Sequence, residues 1–393
     1  MITPFTQFAL ILLIVFVISI LMRLLRQPLI IGYIISGIIA GPFFLNLIQG
    51  SETITAFSEM GIAFLLFIVG LHLSPKVIKE VGKVSLLTGL GQIVFTSLVG
   101  YGIGIFLGFS ILTSLYVAVA LTFSSTIIIM KLLSDKDALE KLYGKISIGF
   151  LLVQDLVAIL ALIILSSLSV GTAEAGNLIL FTILKGVGLM AILVPLSYYV
   201  LPRLDDFLAK SQEFLFLFSI AWGFGLSFVF AYIGFSIEVG ALIAGVLLSM
   251  SPYSYEVNSK LKPLRDFFII SFFIILGSQM AFGNLNNLIF PAIIFSLFIL
   301  IGNPIIVMLL MGSLGYSKKT GFMAGLTVAQ ISEFSLILIA LGVKLGNLPQ
   351  EILSLVTMVG LVTIAGSTYL IIYSDFIYDK ISKYLTIFER KRI

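Results

Sequence analysis

The stretch "FLLVQDLVAILALI", residues 150–163, is apolar except for Gln154 and Asp155. A carboxylate at the centre of a hydrophobic helix costs about 2.5–3.5 kcal/mol at the least, so such a group reads first as functional. Glu333, in "AQISEFSLIL" (329–338), is the second acid at the centre of an apolar run. For Glu333 a structural reading, a carboxyl hydrogen-bonded inside a helix bundle, stands beside the functional one. Two polar clusters occur at similar depth in other runs: Thr122, Ser124, Ser125 and Thr126, then Thr327, Gln330, Ser332 and Glu333. Hydroxyls can bond back to the preceding turn and bend a helix. A break there frees carbonyl oxygens that can coordinate a cation. One carboxylate surrounded by hydroxyl, amide and carbonyl oxygens can hold a proton or a hard monovalent cation, and the two exclude each other. The residues expected to carry that competition are Asp155, Gln154, Thr122, Ser124, Ser125 and Thr126, with Asp155 as the ligand for Na⁺ or K⁺. Glu333, Ser332, Gln330 and Asn303 are expected in support.

Other chemistries find few residues. The chain has no cysteine, which excludes disulfides and thiol catalysis. The single histidine, His72, falls at the end of an apolar run, where it is either a pH-sensing group or an interfacial polar residue. No spacing suggests a transition-metal site or a phosphate loop, and no cofactor is expected. Serine–histidine and paired-aspartate protease constellations are missing, so the chain is not expected to be an enzyme. In "IGNPII" (301–306), Pro304 removes a backbone donor, and Asn303 beside it either fills that gap or faces the site.

The elements that must position these groups are membrane helices. Of 393 residues, 60% are hydrophobic and 11% charged, a balance no soluble domain could cover with polar surface. The alternating pattern of a β-barrel is absent. An all-α polytopic membrane protein is expected, with 13 spans over roughly 4–22, 28–47, 54–73, 84–108, 111–132, 143–168, 177–200, 213–233, 236–251, 264–282, 287–312, 320–343 and 350–374. Alternate loops then collect 21 of the 23 Lys and Arg residues on one side, leaving Lys185 and Lys344 on the other. The positive-inside rule places the N-terminus outside and the C-terminus in the cytoplasm of a cell membrane. The formal charge of +4 reflects these loops, and no nucleic-acid partner is expected.

Three short matches relate the two halves. Ile-Ala-Gly recurs at 39–41 and 243–245, Leu-Thr at 121–122 and 326–327, and "LFIVGL" and "FIILGS" align Gly70 with Gly277. An odd number of spans separates the partners, so the repeats are inverted, as in many secondary transporters.

The segments "GYIISGIIAGP" (32–42), "EMGIAFLLFIVGL" (59–71), "ALTFSSTIIIMKLL" (120–133), "FLLVQDLVAI" (150–159), "GALIAGVLL" (240–248), "LRDFFIISFFIILG" (264–277) and "AQISEFSLIL" resemble, in order, the monovalent cation–proton antiporters. The likeness runs to the Kef-type branch of the second cation–proton antiporter family. It implies two broken, crossing helices in spans 5 and 12 and an elevator-type fold. Spans 4–6 and 11–13 would form the ion-binding core. Spans 1–3 and 8–10 would form a homodimer among membrane lipids, with span 7 as a linker helix. The acid of the family's ion-binding helix maps onto Asp155, and Gln154 matches the residue before it in the Kef-type branch. Electrogenic relatives carry two adjacent acids, and many relatives carry a basic residue in span 11, where this chain has Asn303-Pro304. Kef systems append a cytoplasmic nucleotide-binding domain. No such regulatory domain is expected here, since the sequence closes on "FERKRI". The expected activity is electroneutral 1:1 exchange of Na⁺ or K⁺ for a proton. An uncoupled, channel-like K⁺ pathway is the competing expectation.

Overall fold

The computed structural model describes residues 4–48, 52–72, 82–138, 141–167, 188–189, 191–193, 195–201, 203, 211–233, 235, 237–280 and 285–388. The described residues are helical, with no strand among them. In chain order the helices are α1 (Pro4–Leu24), α2 (Leu29–Ala40), α3 (Glu52–His72), α4 (Lys83–Phe106), α5 (Ile111–Ala120), α6 (Thr126–Asp135), α7 (Leu142–Ser167), α8 (Gln212–Ile233), α9 (Ile237–Leu248), α10 (Ser254–Ser278), α11 (Leu285–Leu297), α12 (Asn303–Ser313), α13 (Lys318–Leu326), α14 (Glu333–Lys344), α15 (Gln350–Ile372) and α16 (Ser374–Ile381). Among the described residues, seven stretches are long and apolar enough to cross a membrane, and α2, α5 and α9 are shorter apolar helices.

Several boundaries differ from the hydropathy reading. Helix α2 stops at Ala40, before Gly41-Pro42, where proline disfavours helical backbone in the residue ahead of it. Helix α10 begins at Ser254, ten residues before its apolar window, because Glu256, Lys260 and Lys262 are good helix formers that hydropathy scores as loop. A π-helical turn, Phe298–Gly302, joins α11 to α12 and leaves Pro304 in the first turn of α12, where its missing donor is not required. Most of the expected span 7, including Lys185, lies outside the described residues. Of its end, the turn Leu196–Val200 is π-helical.

The chain divides into two compact units. The first comprises residues 1–12, 39–80 and 161–278. In it α3 packs against α9 and α10 at close backbone distance. A Cβ on Gly61 would meet the Phe268 carbonyl carbon at 2.6 Å, and one on Gly245 would strike the Phe67 carbonyl. Small residues permit such contacts where apolar burial gives little drive between membrane helices. Phe57, Phe64, Phe224, Phe267 and Phe268 interlock around this seam, and Trp222 donates its indole N–H to the Ala244 carbonyl at 3.0 Å.

The second unit comprises residues 13–38, 81–160 and 279–393. Its apolar core joins α6, α7, α12 and α13 through Ile129, Phe150, Leu151, Val307, Met311 and Phe322. Leu385, beyond α16, inserts into the same core. Lys136 ties α6 to the far end of α15, donating to the Ile371 carbonyl at 3.1 Å and the Ser374 hydroxyl at 2.6 Å.

Within this unit the two halves repeat in detail. Gly108 and Gly315 both adopt left-handed backbone, φ 82° and 84°, which favours glycine. Ser110 then caps α5 by accepting from Thr113 N–H at 3.2 Å, and Ser317 caps α13 by accepting from Thr320 N–H at 3.3 Å. At the other end, Thr122 donates its hydroxyl to the Val119 carbonyl, and Thr327 donates to Ala324, both at 2.7 Å. Each pair of short helices is therefore started and stopped by the same devices.

Candidate ion-binding site

The helical run through the first polar cluster is interrupted at residues 121–125, and the run through the second at 327–332. Both breaks are buried, so every freed backbone group needs a partner within the protein. Side chains supply many of them. At the first break, Gln154 on α7 accepts the Ser124 N–H at 3.0 Å, and Gln92 on α4 donates to the Thr122 carbonyl at 3.3 Å. Ser125 caps the start of α6 by accepting from Ile128 N–H at 3.4 Å. At the second break, Asn303 donates to the Val328 carbonyl at 3.2 Å, and Thr363 on α15 accepts from Ile331 N–H at 3.4 Å. Ser332 and Ser335 form a capping box at the start of α14. Ser335 also donates to the Ala120 carbonyl at 2.5 Å, which brings the end of α5 to the start of α14.

Asp155 meets this assembly at the first residue of α6, where its Oδ2 accepts from the Thr126 hydroxyl at 2.9 Å. Asp155 as a residue is partly buried, whereas Gln154 beside it is fully enclosed. Glu333 occupies the first position of α14, 5% exposed, and accepts from the Ser332 hydroxyl at 3.2 Å. Helix N-termini favour negative charge, which is offered to Asp155 by α6 and to Glu333 by α14. The Ser124 hydroxyl is buried and has no hydrogen-bond partner among the described residues, as does the Gln330 amide nitrogen. The Gln330 oxygen accepts from Ser367 at 2.7 Å.

The residues singled out in the sequence thus separate into groups. Asp155, Gln154, Ser124 and Thr126 converge on the first break, with Thr122 and Ser125 fixing its ends. Glu333, Ser332 and Gln330 build the second. Asn303 faces this polar assembly rather than its own helix: its side chain accepts from Thr96 at 2.8 Å and donates to Val328. His72 closes α3, outside this unit. Sequence reasoning passed over Gln92, Thr96, Ser147, Ser335, Thr363 and Ser367, all buried. A signal existed for the first two, since Thr88, Gln92 and Thr96 recur every four residues on one face of an apolar helix.

Two interrupted helices meeting beside two carboxyls within apolar runs are the architecture of a polytopic helical membrane protein with a polar interior, an arrangement common among secondary transporters. Residues 10–372 match the family described as "Sodium/hydrogen exchanger, transmembrane", and the chain belongs to that family, a family of transporters and not of enzymes. It is similar to the putative cation/proton antiporter YbaL of Escherichia coli (strain K12), 29% identical over 94% of this chain and 67% of that protein. It is also similar to K(+) efflux antiporter 5 of Arabidopsis thaliana, 26% identical over 80% of this chain and 57% of that protein. The glutathione-regulated potassium-efflux system protein KefC of Salmonella arizonae is 31% identical over 65% of this chain and 42% of its own length. The chain therefore spans from about two-fifths to two-thirds of these relatives. The fold resembles that of the sodium proton antiporter MjNhaP1 from Methanocaldococcus jannaschii, with a TM-score of 0.62, 15% identity and 98% of both chains covered.

Proposed function

We propose that this membrane protein exchanges a monovalent cation, Na⁺ or K⁺, for one proton, by competition of the two at Asp155. The observation that carries this is the first break: the Asp155 carboxylate is bonded to Thr126 at its end, and the Ser124 hydroxyl within it is buried and has no partner among the described residues. The cation is held by Asp155, Ser124, Thr126 and carbonyls of the break, with Thr122 and Ser125 shaping it. Gln154 lends an amide oxygen to the wall of the site while holding Ser124. Glu333, Ser332, Gln330 and Asn303 support the second break. Binding of either ion neutralises Asp155, and only the neutralised site crosses the low-dielectric barrier, so exchange is coupled. Gln154 adds no titrating group, which favours a 1:1 exchange without net charge movement. Family membership and the relatives named for cation/proton and K⁺ antiport support the reading. The sodium proton antiporter of the same fold keeps Na⁺ in play as well as K⁺.

The reading includes 13 spans with inverted repeats, an N-terminus outside, a cytoplasmic C-terminus and a cell-membrane location. It also includes a homodimer formed through spans 1–3 and 8–10, span 7 as linker, and elevator-type movement of spans 4–6 and 11–13. The test is proton flux into dye-loaded proteoliposomes on adding Na⁺ or K⁺. Wild type should respond to at least one ion, and Asp155→Asn should fold and not respond. Retained exchange in Asp155→Asn sinks the assignment. Flux driven by membrane potential under matched ion gradients sinks the electroneutral stoichiometry.

A further inference from the structure

A chain of buried side chains runs between the two helix breaks. Starting at the first, the Ser124 N–H donates to Gln154 Oε1 at 3.0 Å. Gln154 Nε2 donates to Gln92 Oε1 at 2.8 Å, and Gln92 Nε2 donates to Thr96 Oγ1 at 3.0 Å. The Thr96 hydroxyl donates to Asn303 Oδ1 at 2.8 Å, and Asn303 Nδ2 donates to the Val328 carbonyl in the second break at 3.2 Å. Every link points the same way, from donor in the first break to acceptor in the second. Hydrogen bonds aligned in this manner polarise one another and strengthen as a set. All four side chains are fully buried, and the Gln92 amide additionally holds the Thr122 carbonyl. Thr96 and Asn303 lie 207 residues apart, the same separation as Gly108 and Gly315, so the chain closes between equivalent positions of the two halves.

We propose that Gln92 and Thr96 are positioning residues for ion exchange: with Gln154 and Asn303 they fix the spacing of the two breaks, and thereby the size of the cation that fits between hydroxyls and Asp155. None of the four carries charge, so the relay orders the site without adding a titrating group. Each amide is held at both ends and cannot flip without losing two bonds. A relay broken at any link loses its alignment as a whole, so a second break in it adds little. That is the property separating a relay from four independent packing contacts.

The inference rests on the antiport reading for its transport readout, and its stability readout does not depend on it. Three variants keep volume nearly constant: Thr96→Val, Gln92→Met and the pair together. In proteoliposomes, each single variant should raise the apparent KM for the preferred cation about tenfold, toward the low end of what leaving buried groups unpaired costs. Each should also shift the ratio of Na⁺ to K⁺ KM, and the double variant should match the singles within about twofold. Thr96→Ser, which retains the hydroxyl, should restore both values. The same cycle, read as thermal unfolding in detergent, should again be non-additive. Additive losses in that unfolding cycle overturn the relay whether or not the wild type moves ions. If the wild type exchanges ions, a Na⁺ to K⁺ ratio unmoved in Thr96→Val overturns the positioning role. If wild type and Asp155→Asn are equally inactive, the antiport reading fails and, with it, the selectivity role, while the unfolding cycle still decides the relay itself.

Discussion

Replacing Ser335 by alanine removes one oxygen and should loosen both breaks together. Ser335 Oγ donates to the Ala120 carbonyl at the end of α5 and accepts from Ser332 N–H at the start of α14. The residue is fully buried, so no solvent replaces it. Two backbone groups lose their partner, each worth about 1–3 kcal/mol by the scale of buried unpaired groups. Loss of a cap alone costs about 0.5–2 kcal/mol. Side-chain hydrogen bonds between membrane helices average nearer 0.6 kcal/mol, because the unfolded reference finds partners too. Weighing these, we expect a loss of about 1–3 kcal/mol. For a unit of this size that is a fall of between about 2 and 12 °C in the unfolding midpoint. The assay is thermal unfolding of purified protein in detergent, beside proton flux in proteoliposomes. Exchange should fall with stability, since the tie that aligns α5 with α14 is the one lost. Ser335→Ala with an unchanged midpoint and full exchange would refute the claim that this hydroxyl couples the breaks.

Gly325→Ala should destabilise the second unit by about 1–3 kcal/mol, because the new Cβ meets the Pro304 carbonyl oxygen at 2.8 Å and Pro304 Cα at 3.1 Å, both backbone; unfolding unchanged in detergent would contradict that close approach. Glu333→Gln should change the apparent cation affinity in vesicles while leaving exchange detectable, and an unchanged ion dependence would return Glu333 to a capping role alone. Asp375 lies outside the membrane helices, and its carboxyl is held below the usual carboxylate range, first by the hydrogen bond from Lys136, with burial opposing and the charges of Lys136, Lys319 and Lys141 adding. A lowered carboxyl stabilises the fold above its unfolded value of about 3.9 and loses that contribution as pH falls through its folded value. Asp375 is 64% exposed, so the pair with Lys136 is worth less than about 1 kcal/mol. Asp375→Asn should therefore unfold slightly earlier than wild type at a constant margin from about pH 5 to 8, and the margin should close below about pH 4; a margin that widens on acidification would reverse the sign.

Hydropathy and polar clustering were enough to place the long apolar helical runs of the second unit and the two breaks, because backbone freed inside an apolar run must find polar side chains nearby. Asp155 and Thr126 could be paired in advance only as members of one site; their 2.9 Å contact is a property of packing. Gln92 and Thr96 were hidden for a different reason. Each alone reads as an ordinary polar residue in a membrane helix, and their meaning depends on Gln154 and Asn303 facing them from two other helices. The strongest repeat was also missed. "LGFSILT" at 107–113 and "LGYSKKT" at 314–320 share the left-handed glycine and the Ser cap, but they punctuate loops, where matching of apolar spans does not look. Helix α16 and the segment to Phe388 carry charge enough to read as a tail, yet Leu385 is buried in the core of the second unit.

The repeat explains why this site has two unlike halves. Thr126 and Glu333, both at the first position of their half-helix, are 207 residues apart. Equivalent backbone positions therefore carry a hydroxyl in one half and an acid in the other. The hydroxyl needs a carboxylate from elsewhere, and α7 provides Asp155. The position 207 residues after Asp155 is Val362 on α15, apolar and 50% exposed, so α15 brings no acid to the second break. It brings hydroxyls instead, through Thr363 and Ser367. Each break thus has one carboxyl, but the two are held differently. Glu333 is enclosed and belongs to the helix it starts, whereas Asp155 reaches in from a neighbouring helix and is only partly buried as a residue. A group that must bind and release an ion needs access, and a group that only shapes the field does not. On the proposed reading, the first break therefore carries the carboxylate that exchanges, and Glu333 at the equivalent position of the second shapes the field around it.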